Sequence, residues 1–160
     1  MTTGVGMYPS IGAATAAVKT AVHAAVISAL AADPDGVEVA FGFVWPPPHL
    51  WDIVAVTSTR TTPGDGTVSP NRRRQMTVYQ DLSVLSFRVT DDEQVVHDRA
   101  YAILAAIDEH LREDPTLDGA VLWVLSDDVA SDGATTEEDA GQGRVCEIAV
   151  TYAAQIIVTR

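Results

Sequence analysis

Cysteine is almost absent. Cys146 is the only one, so no disulfide can form within the chain, and a reducing compartment is the expectation. Cations are scarce too: ten lysines and arginines stand against 22 aspartates and glutamates, a formal net charge of −12 at pH 7. Such a surface repels phosphate, which argues against gripping nucleic acid but suits a negative channel along which DNA slides. The marks of catalysis are missing as well. His23, His49, His97 and His110 show no paired zinc spacing, and no Gly-x-Ser-x-Gly elbow occurs. Gly4-Val5-Gly6 and Gly141-Gln142-Gly143 lack the third glycine and the strand–turn–helix setting of a dinucleotide site. Met1 to Met7 lacks the basic start of a secretory signal. The expectation is a protein without catalytic residues, metal or cofactor.

What is present is enough for one domain spanning residues 1–160 with a real core, since 47 % of the 160 residues are apolar. Ile11, Thr15, Val18, Val22, Val26 and Leu30 fall on one face of a first helix, with Ser10 as its N-cap and alanines filling the rest. The run from Ala13 to Ala32 approaches membrane-spanning length, but Lys19, His23 and Ser28 interrupt it and alanine is weakly apolar, so no membrane is expected. Asp33-Pro34-Asp35-Gly36 reads as a turn. Val37 to Trp45 reads as a strand, with Val37, Val39, Phe41 and Phe43 on one face.

Trp45-Pro46-Pro47-Pro48-His49-Leu50-Trp51 breaks that strand, because consecutive prolines cannot donate to a ladder. It is either a rigid connection whose tryptophans, Trp45 and Trp51, cover the core edge, or a stiff apolar corner that plugs into a partner. Trp51 to Arg60 is a second strand. Arg60 to Arg74 reads as a long mobile loop ending in Arg72-Arg73-Arg74, the one basic cluster. Those arginines either offset nearby acids on a solvated surface or meet acidic groups of a neighbouring subunit or a phosphate.

Met76 to Val89 is a third strand whose alternation changes phase, implying burial on both faces or a bulge near Val84-Leu85. Thr90-Asp91-Asp92-Glu93 reads as a capping box, with Thr90 as N-cap. Val96, Ala100, Ile103, Ile107 and Leu111 then form a helical stripe, while Asp98, Arg99, Asp108, Glu109 and Arg112 take the opposite face. Asp114-Pro115 stops the helix. Ala120 to Leu125 is a uniformly apolar fourth strand.

Ser126 to Gln142 reads as a flexible excursion carrying Asp127, Asp128, Asp132, Glu137, Glu138 and Asp139. Asp128, Asp132, Gly133 and Asp139 fall at ligand or turn places of an EF-hand loop. Ala130 occupies a ligand place, however, aspartate replaces the closing glutamate, and strands replace the flanking helices, so a solvated acidic loop is preferred. Gly143 to Thr159 alternates cleanly, with Cys146, Ile148, Val150, Tyr152, Ala154, Ile156 and Val158 inward, and the Cys146 thiol is expected to pack rather than react. The order α-β-β-β-α-β-β implies an α+β fold: a mixed, mainly antiparallel sheet packed against two helices.

The stretch Arg99-Ala100-Tyr101-Ala102-Ile103-Leu104-Ala105-Ala106-Ile107, followed by Leu111 and Asp114-Pro115-Thr116-Leu117-Asp118-Gly119, resembles tail terminator proteins of long-tailed bacteriophages, particularly those of actinobacterial hosts. The helix–strand order around it resembles the whole small protein. The resemblance implies a ring, commonly a hexamer, that caps the head-proximal end of the tail tube. Such a ring ends tube polymerisation, joins the neck protein of the head–tail connector and lets DNA pass through its lumen without specific binding. It further implies assembly in the host cytoplasm, a place in the virion, and no catalytic residue. The candidate interface residues are then Trp45, Trp51, Arg60, Arg72, Arg73, Arg74 and the acids Asp127, Asp128, Asp132, Glu137, Glu138 and Asp139. Another neck completion protein shares the same small ring-forming architecture. A ligand-binding domain or small enzyme would need a pocket of convergent polar groups, which no motif nominates.

Overall fold

The computed structural model describes residues 4–42, 52–63, 73–131 and 143–159. The elements in order are β1 (Met7–Tyr8), α1 (Ile11–Leu30), β2 (Glu38–Ala40), β3 (Asp52–Pro63), β4 (Arg73–Arg88), α2 (Glu93–Glu113), β5 (Trp123–Ala130) and β6 (Arg144–Thr159). The fold is α+β, as the sequence predicts, with a short β1 added at the front. One six-stranded sheet runs β1-β6-β4-β3-β2, and β5 pairs β6 on the same side as β1. The β3/β4, β4/β6 and β5/β6 ladders are antiparallel, whereas β1/β6 and β2/β3 are parallel.

Both helices pack on one face of this sheet. Val18, Val22, Val26 and Leu30 from α1 and Val96, Ala100, Ile103, Ile107 and Leu111 from α2 close over Val54, Val78, Leu82, Val84, Ile148, Val150 and Ile156. At about 1.5–3 kcal/mol per fully buried aliphatic side chain, this layer is the main stabilising contribution. By length and composition α1 could cross a membrane, but its valine stripe is buried against the sheet. Ile11, expected on that stripe, is exposed at the first turn. Ser10 does cap α1, accepting from the N–H of Ala13.

The capping box is corrected. The N-cap of α2 is Asp92, whose carboxylate accepts from the N–H of Gln94, while the Thr90 hydroxyl accepts from the N–H of Asp92. Thr90 is thereby used in the turn leaving β4, where its own N–H donates to Arg88. At the other end Asp114 caps α2 and orders the exit. Its carboxylate accepts from the Thr116 hydroxyl and from the N–H groups of Thr116 and Asp118. This holds Leu117, Asp118 and Gly119 at positive φ.

Three strand expectations change. The predicted strand from Val37 shortens to Glu38–Ala40; Phe41 is exposed, with Lys19 over its ring and His23 against its edge. The fourth strand starts later and runs on: Ala120 to Leu122 belong to the turn, and Trp123–Ala130 is an exposed edge rather than an apolar core strand. In β4 the inward face keeps one phase from Met76 to Ser86, because the polar Gln80 and Ser86 are buried in it. The bulge lies instead in β3, between Val56 and Thr59, and Gln80 holds it: its amide donates to the Ser58 carbonyl and its oxygen accepts from the Thr59 hydroxyl.

Candidate functional site

The face of the sheet opposite the helices carries a ladder of small and polar side chains. Ladder register sets Ala153 between Tyr79 and Leu125, and Gln155 between Thr77 and Trp123. Gln75 donates to Gln155, and Gln155 donates to Thr77, at 2.9 and 2.7 Å. The Thr151 hydroxyl donates to Asp81, and the Ser83 hydroxyl to Glu147. These cross-strand bonds fix the face locally, and among the described residues no helix or strand lies over it.

Five of the candidate interface residues are among the described residues, Arg60, Arg73, Arg74, Asp127 and Asp128, and all five lie on strands of this sheet. Arg60 is on β3, which continues past it to Pro63, and its guanidinium is 4.6 Å from the centre of the Tyr79 ring, a cation–π contact that holds it over the sheet. Arg73 and Arg74 open β4, paired with Thr159 and Val158, and both are exposed. Asp127 and Asp128 are likewise strand residues: they lie on β5 at its bulge, Asp128 opposite Thr151. The strands reach further than composition predicts because ladder pairing with β4 and β6 outweighs the turn propensity of threonine, serine and aspartate. Trp45, Trp51, Arg72, Asp132, Glu137, Glu138 and Asp139 lie outside the described residues.

Among the described residues, the basic and acidic candidates are therefore not brought together within one chain. Arg60 belongs to the β3 side of the sheet, Asp127 and Asp128 to the β5 side, with β4 and β6 between them. Exposed apolar side chains concentrate on β5: Trp123 is 38 % exposed, Leu125 61 % and Val129 43 %, high values for large side chains on an edge strand. Behind them a groove between β5 and α2 is lined by Asp108, Leu111, Arg112, Leu125 and Tyr152. The Tyr152 hydroxyl donates to Asp108, and burial together with that carboxylate pushes its pKa up, so the group stays a neutral donor.

A buried ionic cluster escaped the sequence reading. Asp52 is 3 % exposed at the start of β3. Its carboxylate receives the Ser86 hydroxyl, both terminal nitrogens of Arg88 and Nε of Arg99 at 2.8–3.0 Å. The fork of Arg99 then grips Asp33 in the turn after α1 at 2.7 and 2.9 Å. Arg99, expected on the solvent face of α2, is thus a half-buried bridge between both helices and the sheet. Burial alone would raise the Asp52 pKa, but the hydrogen bonds from Arg88, Ser86 and Arg99 outweigh it and hold the carboxyl below its ordinary range. The bond from Arg99 does the same for Asp33. Strict two-residue counting onward from Val84 through Ser86 would have put Arg88 on the inward face, the one signal in the sequence for this cluster.

For chemistry the inventory is thin. Among the described residues no group of three His, Cys, Asp or Glu side chains could hold a metal ion. Cys146 is buried on the inward face of β6, and burial raises its thiol pKa, which fits packing rather than nucleophilic use. The groove between α1 and α2 is walled by alanines, with His110, Asp114 and Asp118 at its side.

No family model matches the chain, and no curated protein matches it. Among solved structures it is similar to a chain of the virion of a native gene transfer agent particle, with a TM-score of 0.51 and 15 % identity. The likeness covers 88 % of this chain and 97 % of that one, so it is a likeness of whole folds rather than of a shared motif.

Proposed function

We propose that the chain is a structural virion protein and, within that class, a tail terminator: a subunit of a ring, commonly a hexamer, that caps the head-proximal end of a phage tail tube. The observation that carries the class is the end-to-end fold likeness to a virion chain. The finer role rests on the resemblance of the Arg99–Gly119 stretch to tail terminators. It is supported by a framework that leaves charged residues and apolar edge residues of the sheet outward. In this role the ring stops addition of tube subunits, offers its far side to the neck protein, and passes DNA through a lumen kept free of tight phosphate contacts by the net charge of −12. No cofactor or membrane takes part.

Electron microscopy of tails assembled with and without the protein tests this. Tails of regulated length with it, and overgrown tubes without it, are the expected result; unchanged tail length sinks the terminator reading. The fold likeness suits a neck completion protein equally well. Binding to isolated tail tubes separates the two, because a terminator must hold the tube end in the absence of heads.

A further inference from the structure

The sheet has two open edges, and they are complementary. On one side β5 has β6 as a neighbour, and among the described residues no strand lies along its other edge. On the far side β2 covers β3 only from Ile53 to Ala55, and among the described residues no strand covers β3 from Val56 to Pro63. That run matches in length the eight residues of β5. The β5 edge carries Asp127 and Asp128 with Trp123 and Leu125 exposed beside them, whereas the β3 edge carries Arg60, and Arg73 lies on β4 three residues before Met76, the partner of Pro63.

We infer that these edges are the two halves of one interface: β5 of one copy lies along the Val56–Pro63 edge of β3 in the next, so that the sheets continue from subunit to subunit. The inference rests on the ring reading above and names the contact that builds the ring. The backbone N–H and C=O groups of both edges that no described strand pairs supply the ladder, apart from the Ser58 carbonyl, which Gln80 already occupies. Charge selects the partner. Two β5 edges together would set Asp127 and Asp128 against their own copies, and two β3 edges would set Arg60 against Arg60. Pairing β5 with β3 joins opposite charges in both directions along the ring. A contact between two different edges is heterologous, and heterologous contacts close into rings when the rotation allows. The occupant of the β5 edge is therefore a second copy of this chain.

Charge exchange tests it. One variant carries Asp127→Lys and Asp128→Lys, the other Arg60→Glu and Arg73→Glu. Each should keep the wild-type circular dichroism and melting temperature and lose self-association by about 100-fold, since like charges then face each other at every contact. An equimolar mixture should regain rings, read as mass by light scattering and as particles by electron microscopy, because alternating the variants restores an opposite-charge pair at each junction. Either variant assembling alone like the wild type overturns the inference, as does a mixture of folded variants that stays dissociated. So does a wild type that remains monomeric at the highest soluble concentration and on tail tubes. A benzophenone photo-crosslinker at Leu125 in the otherwise unaltered chain guards against a folding defect. Adducts to residues 56–63 of another copy support the pairing; adducts to the tube protein alone overturn it. Tail length is a separate readout: rings built through these edges that fail to end tails would uphold the pairing and sink the proposed function, and the reverse pattern would do the opposite.

Discussion

At the scale of residues, Asp52 carries more of the structure than its place in the chain suggests. Asp52 is the buried carboxylate that Arg88 and Arg99 share, so Asp52→Ala, which removes it while Arg99 keeps Asp33, should cost about 3 kcal/mol in chemical denaturation. The same cluster sets an acid limit. The folded-state pKa values of Asp33 and Asp52 lie below those of the unfolded chain, so their contribution is fully present above the unfolded value and is lost as pH falls through the folded ones. Denaturation midpoints should therefore drop on acidification below about pH 4, and the drop should be shallower in Asp52→Asn. The cluster was nearly illegible in the sequence, because its members are scattered over α1–β2, β3, β4 and α2 and meet only through tertiary packing. The aliphatic core was legible residue by residue: Val18, Val22, Val26, Val96, Ile103 and Ile107 are buried where their periodicity puts them.

At the scale of elements, periodicity and punctuation succeeded for the two helices and for β6, where the apolar pattern is long. They failed where pairing, not local propensity, sets the limit: β3, β4 and β5 all extend into stretches whose composition reads as loop. The helix stripe gives a direct test. Ile103→Asp places an unpaired charge at a fully buried site facing the sheet and should cost more than about 4 kcal/mol, a large share of a domain's stability, seen as loss of the cooperative melt. Gly6 tests the added β1. Its N–H donates to Gly119, its carbonyl accepts from Ile157, and a Cβ there would stand 2.7 Å from the backbone nitrogen of Leu122. With φ at +62° as well, Gly6→Ala should lower stability by about 2 kcal/mol while leaving α2 helical by circular dichroism. Neither β1 nor this contact could be read from a two-residue strand, which is too short to show alternation.

At the scale of the whole molecule, fold class and helix count followed from the order of patterns, whereas the placement of charge did not. Among the described residues, Arg60, Arg73 and Arg74 belong to β3 and β4 and Asp127 and Asp128 to β5, with β6 between the two groups. On the assembly reading, Arg73→Glu should leave the melting temperature within a degree or so, as expected of an exposed substitution, and weaken ring formation in sedimentation. Unchanged sedimentation would remove the basic residue from the contact. The place of β6 adds a constraint of another kind. It follows β1, β4 and β5 in the sequence yet stands between them, with β4 on one flank and β5 and β1 on the other. A chain without β6 loses the pairing that joins β5 and β1 to the β4-β3-β2 part of the sheet. On the assembly reading such a chain cannot hold its two edges in one sheet, so loss of β6 is a defect of the centre rather than of the margin.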